Sequence, residues 1–504
     1  MKKLFFTLIA AALFFTLSAD TPKRGIVVFR FDDNKSGELW RELNGVFRKH
    51  GFNFSLAVCP LSLKTDSDQA KALKELQSVG NEIMDHTPTH SNMKISFSNS
   101  VEAEKYAFHP GVDHIENSTV CLKLVFDPDY PHNKELDITV KDNRIISPDD
   151  EVKKHLRGQN YLVFPDGKIY GVDFRNGIYT ICSAWGTACK VKDTENIRVI
   201  RSDRFGVQTS DDGLRLLAEV SKREFERLKL DRPTCYVVAG GWGCYPHQKS
   251  LMRVFGKEYG YTCGTAVNYW FGVYDRPDRE SGRFALACEW NSPENCTVDE
   301  MKKMIADYMA KNRVVPIISH LWFNRVSGGK TELLRRYDEL LAFLKQKNIP
   351  VMTMSQAAEV LYDGKADKSY NVMPRLDVDL DGDGYPDGYE KVSGVKAAGG
   401  KLFRADAGKL FEINKLTGIT PGKNLFSCRV NGAEGTEITL ETTLYKASYP
   451  VPERKLAPLK KTVKKSGEII TFELDIPASS PGTGLKMFSS QPVEIEQPSL
   501  SYKL

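Results

Sequence analysis

Residues 25–33 read Gly25-Ile26-Val27-Val28-Phe29-Arg30-Phe31-Asp32-Asp33. An apolar run broken by a single arginine predicts a strand covered on both faces, and two adjacent carboxylates end it. Beyond them Leu39, Leu43, Val46 and Phe47 fall at helical spacing up to Gly51, and a second apolar strand is expected over 52–59. A helix over 67–79, closed by Gly80, leads to the short strand Glu82-Ile83-Met84 and then to Asp85-His86-Thr87-Pro88-Thr89-His90. Alternation of strand and helix builds parallel strands with helices outside, and in such folds chemistry gathers where the strands end.

Further along, residues 106–204 change to short β-type segments at 120–126, 136–140 and 161–164, separated by Asp, Asn, Pro and Gly turns, so a β-rich insertion is expected. The alternation then resumes: a charged helix over 212–228, a strand over 235–239, a helix over 299–311, a strand over 314–319, a helix over 331–347, a strand over 350–354 and a closing helix over 356–361. Past 363 this pattern stops. Residues 377–390 form an acidic, glycine-rich loop, and from 401 onward alternating segments such as 437–443 and 469–474 predict a small β-sandwich.

At 504 residues the chain calls for several domains. Its first nineteen residues start with Lys2 and Lys3, continue as an apolar run over 4–17 and end in Ser18-Ala19, the pattern of a signal peptide cleaved near Asp20. A secreted or periplasmic protein is therefore expected, with no membrane span after cleavage. The formal net charge of +5, with both signs interspersed, argues against nucleic acid as a partner. The ten cysteines stand singly, without CxxC pairs. Export permits disulfides, with Cys182–Cys189 and Cys288–Cys296 the close-spaced candidates, and buried thiols are the other reading.

Asp32 and Asp33 cannot both be buried as anions without a cation or a proton, whereas in a solvated turn they need neither. His86 and His90, four residues apart, can bring two imidazoles to one ion on a helical turn. With a carboxylate from the other strand end they offer three ligands and leave a place for water, the ligand count of a catalytic zinc site.

The same segments carry a family resemblance. Phe31-Asp32-Asp33 resembles the first motif of the polysaccharide deacetylases, carbohydrate esterase family 4 with its NodB-like homology domain, and Gly80-Asn81-Glu82-Ile83-Met84-Asp85-His86-Thr87-Pro88-Thr89-His90 resembles their second. Ile317-Ile318-Ser319-His320 is similar to the family's late Leu-x-His motif, and the stretch 332–361, with Pro350-Val351-Met352-Thr353-Met354 ahead of a helix, to its carboxyl end. The resemblance covers roughly 24–108 and 203–361 and implies a distorted (β/α) barrel there. The fold class expected for the whole chain is then α/β, with 109–202 as the β-rich insertion, 363–390 as a linker and 391–504 as a C-terminal β-sandwich. The resemblance also implies Asp33, His86 and His90 as ligands of a divalent metal, Zn2+ or a substitute such as Co2+, with Asp32 as general base and His320 as general acid. The implied substrate is an acetylated polysaccharide or oligosaccharide. Removing an acetyl group needs a nucleophilic water, an electrophile for the carbonyl oxygen and a proton for the leaving group, and a metal with an acid–base pair supplies all three. For His320 a satisfied histidine at a strand end is the alternative.

Two motifs depart from the family. Its Arg-x-Pro-Tyr should follow the strand at 235–239, where this chain has Gly240-Gly241-Trp242-Gly243-Cys244-Tyr245-Pro246 and no arginine, and Arg232-Pro233 precedes that strand. Backbone N–H groups near Trp242 can still offer an oxyanion site. The Asp-containing fourth motif has only Asp275 and Glu289-Trp290 as candidates. Trp242 and Tyr245, with Tyr269 and Trp270, suit a sugar-binding groove or the core. His109, His114, His132 and His155 read as surface residues of the insertion.

Asp379-x-Asp381-x-Asp383-Gly384-x-x-Asp387-x-x-Glu390 has the ligand spacing of an EF-hand loop. Without flanking helices it resembles the extracellular calcium loops of dockerins and thrombospondin type 3 repeats, so either a structural Ca2+ or a solvated acidic linker is expected. The C-terminal sandwich reads as a carbohydrate-binding module or a spacer. Two further functions stay open: a barrel that binds glycan without turnover, as the missing arginine suggests, and hydrolysis of another carbon–nitrogen or glycosidic bond.

Overall fold

The computed structural model describes residues 25–502 apart from 131–132, 147, 157–159, 241–243, 245, 268–283, 285, 289–290, 311–313, 363–372, 375, 378, 381, 418–421, 446–451 and 478–481. The expected signal peptide at 1–19 and the residues His132, Trp242, Tyr245, Tyr269, Trp270, Asp275, Glu289, Trp290 and Asp381 lie outside the described residues.

Seven strands form one parallel sheet: β1 (Ile26–Asp32), β2 (Ser55–Val58), β3 (Glu82–Asp85), β4 (Cys235–Val237), β5 (Cys263–Val267), β6 (Leu286–Cys288) and β7 (Val314–Ser319). Their spatial order, β6-β5-β4-β3-β2-β1-β7, is chain order wrapped into a ring and cut between β6 and β7. Among the described residues no ladder closes that cut. The flanking helices are α1 (Gly37–His50), α2 (Asp68–Ser78), α3 (Asp211–Leu228), α4 (Val298–Ala310), α5 (Gly329–Gln346) and α6 (Met354–Tyr362). The strand expected over 350–354 shrinks to one bridge, Val351 to Val27, because Pro350 has no N–H to extend the ladder and α6 starts at Met354.

Period-two alternation along β1 sorts its side chains. Val27, Phe29 and Phe31 face the helices and share a core with Trp40, Leu43 and Phe47 of α1 and Tyr337 of α5. Phe31 meets Phe54 edge to face at 5.2 Å, as does Phe29 with Phe47. Ile26 and Val28 point the other way, into a layer with Ala57, Met84, Val237 and Ile318 that α6 closes with Met354, Ala357 and Ala358. Arg30 and Asp32 continue that inward series, and both are buried. The connections are capped by their own sequence. The Ser36 hydroxyl accepts the Leu39 N–H (3.3 Å) to start α1, Gly51 ends it at φ 81°, and Ser67 accepts the Ala70 N–H (3.1 Å) to start α2.

The insertion is β-rich. Lys94–Ser96, Thr119–Leu122 and Val112–Glu116 make a three-stranded sheet, and Leu124–Phe126 pairs with Val207–Thr209. Six further strands, from Lys134–Lys141 to Thr194–Asp203, close into an antiparallel barrel around Leu136, Ile138, Leu162, Val172, Ile181 and Val199. That closure depends on long-range pairings such as Asn160 with Asp203, which local alternation does not reveal. Cys182, Cys189 and Cys296 are free thiols, so neither close-spaced disulfide forms. Beyond Val395 two antiparallel sheets share one core, with Phe426, Val430 and Phe472 from one and Ile413, Leu440 and Leu485 from the other. Among the described residues no helix is long and apolar enough to cross a membrane.

Candidate metal and catalytic site

β4, β3, β2, β1 and β7 are successive parallel neighbours, so their carboxyl ends open on one side of the sheet. Backbone strain gathers there: Asp33 (φ 73°), Thr87 (65°), His90 (59°) and Leu321 (53°) all adopt the left-handed conformation without being glycine. Each such residue costs of order 1–3 kcal/mol, and the β-branched Thr87 is the least suited to it. Side chains brace these turns. Asn34 bonds the Cys59 backbone in both directions (2.9 and 3.2 Å), and the Thr87 hydroxyl accepts the Ser91 N–H (2.9 Å).

His86 follows β3 and is fully buried. Its Nδ1 lies 3.2 Å from the Val237 carbonyl oxygen. A proton donated there leaves Nε2 as the ligand nitrogen, the tautomer that outer-sphere partners of metal-binding histidines impose. That Nε2 is buried with no hydrogen-bond partner. It stands 3.8 Å from Asp33 Oδ1 and 3.7 Å from Asp32 Oδ2, and His90 Nε2 stands 3.3 Å from the same Asp33 oxygen. One donor atom from each of Asp33, His86 and His90 falls within 4.8 Å of the others. Burial brings the His86 pKa down to about 4, partly offset by Asp32, so the ring is neutral at pH 7 as a metal ligand must be. An orphaned imidazole nitrogen facing a carboxylate and a second imidazole is a donor set that fits a divalent transition ion.

Asp32 sits beside this group on the inner face. Burial alone raises a carboxyl pKa, but the Arg30 guanidinium, helped by His86 and His320, brings Asp32 down to about 2. The pair is bidentate, Arg30 Nε to Asp32 Oδ1 at 2.7 Å and the second nitrogen to Oδ2 at 2.5 Å, and a third Arg30 nitrogen donates to the Thr265 hydroxyl (3.3 Å). Asp32 is thus an anion with fixed orientation. By contrast Asp85 has the Ser221 and Tyr261 hydroxyls (2.8 Å each) and the Thr87 N–H but no guanidinium, and burial pushes it up to about 6.

His320 follows β7. Its pKa is lowered by burial against the pull of Asp32 and Asp33, which places it within electrostatic reach of both. The carboxylate of buried Glu294 accepts the N–H groups of His320 (2.9 Å) and Trp322 (2.6 Å), clamping the turn at Leu321. The Trp322 ring stacks on the His320 imidazole at 4.3 Å.

The chain resembles the polysaccharide deacetylases of carbohydrate esterase family 4. No family model and no curated protein matches it. Among solved structures, it is similar to a family 4 carbohydrate esterase from Streptomyces lividans in complex with acetate, at 10% identity over 66% of this chain and 95% of that one, TM-score 0.29. It is also similar to a family 4 pseudoenzyme in a mutant form with restored activity, at 9% identity over 67% and 68%, TM-score 0.29. A third similarity is to a carbohydrate-binding module of a Cellvibrio mixtus lichenase in complex with cellotriose, at 12% identity over 23% of this chain and 93% of that one, TM-score 0.17. Likenesses of this size bear on no residue's role.

Measured against the deacetylase motifs, two residues escaped the sequence reading. One is Arg30, on β1, whose guanidinium pairs with Asp32. A signal existed: residues two apart on a strand share a face, so an arginine two before Asp32 points the same way. Glu294 left no comparable signal, since its partners are backbone groups. In the linker, Asp379 accepts the Gly382 and Gly384 N–H groups (2.7 and 2.9 Å), Asp383 that of Tyr385 (2.8 Å) and Asp387 that of Leu380 (2.6 Å), while Glu390 bonds Asn414 (2.7 Å). Among the described residues these carboxylates do not converge as a group of three.

Proposed function

We propose that this chain is an exported, metal-dependent deacetylase that hydrolyses N- or O-linked acetyl groups of polysaccharide or oligosaccharide. The observation that supports it above all is the buried, partnerless His86 Nε2 facing Asp33 and His90 across 4.8 Å or less. Those three residues would hold the ion, Zn2+ by donor type, on an open, distorted barrel. When bound, a divalent ion supplies Lewis acidity to a carbonyl oxygen and acidity to water. Asp32, kept anionic by Arg30, accepts the proton lost by the attacking water. His320 gives one to the departing amine or alcohol, and Glu294 and Trp322 fix where its ring stands. Trp242 and Tyr245 would line the sugar groove, the sandwich would bind glycan, and Asp379, Asp381, Asp383, Asp387 and Glu390 would hold Ca2+ in the linker.

A barrel that binds glycan without turnover draws its support from the missing arginine; against it, Arg30 would orient Asp32 through its bidentate pair. The test is acetate release from amide- and ester-acetylated glycans by zinc-loaded protein. Asp32→Asn is expected to abolish release while zinc stays bound. A fully loaded wild-type protein that is inert on both classes of glycan overturns the proposal.

A further inference from the structure

A second cluster of side chains of metal-ligating type lies in the insertion. His114 and Glu116 are two apart on the strand Val112–Glu116 and share a face, and Cys121, on Thr119–Leu122, is the direct cross-strand partner of His114. One donor atom from each of the three falls within 4.8 Å of the others. The sulfur is buried and the imidazole and carboxylate are at the rim, so the cluster is a half-open cup rather than three dispersed surface groups. His114 is exposed, as the sequence reading has it.

Two independent features point to a ligand. The ladder shifts register between Val112 and His114, a bulge that turns the Asp113 carboxylate onto its neighbour, 2.8 Å from His114 Nδ1. With Nδ1 so engaged, Nε2 is the nitrogen left for an ion, the carboxylate–histidine arrangement that orients metal ligands. Trp185, from a turn of the six-stranded barrel, packs edge to face on the His114 ring at 4.8 Å and is itself anchored by its indole N–H to the Leu122 carbonyl (2.9 Å). The ring is therefore fixed from two sides, while Glu116 makes no hydrogen bond or ion pair among the described residues.

We infer that His114, Glu116 and Cys121 bind a second divalent ion of the zinc class, completed by water. Thiolate, imidazole and carboxylate together select a borderline-soft ion over calcium or magnesium. Because its ligands come from one hairpin and its packing from the adjoining barrel, the ion ties the two parts of the insertion together.

The experiment uses the full chain carrying His86→Ala and His90→Ala, kept reduced, and reads metal rather than acetate release, so its outcome is separate from that of the deacetylase reading. This variant is expected to retain one equivalent of zinc, and with Co2+ to show a thiolate-to-cobalt charge-transfer band. Adding Cys121→Ser removes the band, and adding Asp113→Asn instead weakens zinc about 10–100-fold while leaving it. The inference is overturned if the His86→Ala/His90→Ala chain holds no zinc, if Co2+ gives no such band, or if the band survives Cys121→Ser.

Discussion

Arg30→Met tests whether the inward face of β1 works as described. Asp32 and Asp85 provide the magnitude, because both carboxylates are buried at carboxyl ends of the same sheet and differ in their partners. The guanidinium brings Asp32 down to about 2, whereas burial pushes Asp85, held by hydroxyls and one backbone N–H, up to about 6. These lie about four pH units apart, on the order of 5 kcal/mol at ~1.4 kcal/mol per unit. That agrees with the 3–5 kcal/mol typical of removing one partner from a buried ion pair. In the variant, Asp32 holds its proton more tightly when folded than when unfolded, where its pKa is about 3.9. Against wild type, whose Asp32 stays ionised down to about pH 2, its stability deficit is therefore full above about pH 6, shrinks by about 1.4 kcal/mol per unit below that, and closes only toward about pH 2. The metal-free chain should lose about 3–5 kcal/mol at pH 7 and about 2 kcal/mol less than that at pH 4.5, read as urea-dependent hydrogen exchange of the β1 peptide so that the other domains do not contribute. Arg30→Met with Asp32→Asn should regain most of the loss, since neither partner is then charged. A deficit below about 1 kcal/mol at pH 7, or one that is the same at both pH values, refutes the pairing.

Three further outcomes are expected. His320→Asn should lower acetate release about 10²–10⁴-fold with zinc stoichiometry unchanged, as metal analysis beside steady-state kinetics will read; loss of the zinc would make it a ligand instead. In the metal-free chain His86 is neutral when folded down to about pH 4 but protonates near pH ~6.5 when unfolded, so the unfolded state binds the extra proton between those values and stability drops as pH is lowered across that window. His86→Gln should flatten that part of the profile in urea titrations. Calcium added to chelated protein should slow proteolysis within 379–390, and Asp379→Ala should abolish the protection.

Much of the parallel sheet was legible because buried strands announce themselves as near-continuous apolar runs, as at 26–31 with its one arginine and at 314–318, and because Ser36, Gly51 and Ser67 mark helix ends chemically. The first two site motifs were legible for the same reason, since they close such runs. Less could be read where the determinant is long-range. The insertion barrel closes through pairings some forty residues apart, as Asn160 with Asp203 shows, and β5 and β6 are short strands whose pairing is set by neighbours rather than by their own pattern. Glu294 is recognisable only once Leu321 has turned the two N–H groups toward it.

The position of the guanidinium also separates two tasks within the site. Arg30 is fixed by ladders on both sides, opposite Ser55 in β2 and Ile318 in β7, so the partner that orients Asp32 belongs to the rigid sheet. A partner carried on the loop after β4 would move with that loop. Among the described residues, Asn92 accepts from Ala239 N–H (3.2 Å) and donates to the Ala239 and Cys244 carbonyls (3.0 and 3.2 Å). Substitutions in the loop after β4 are therefore expected to leave the charge state of Asp32 unchanged. Any change to the inward face of β1 alters that charge first.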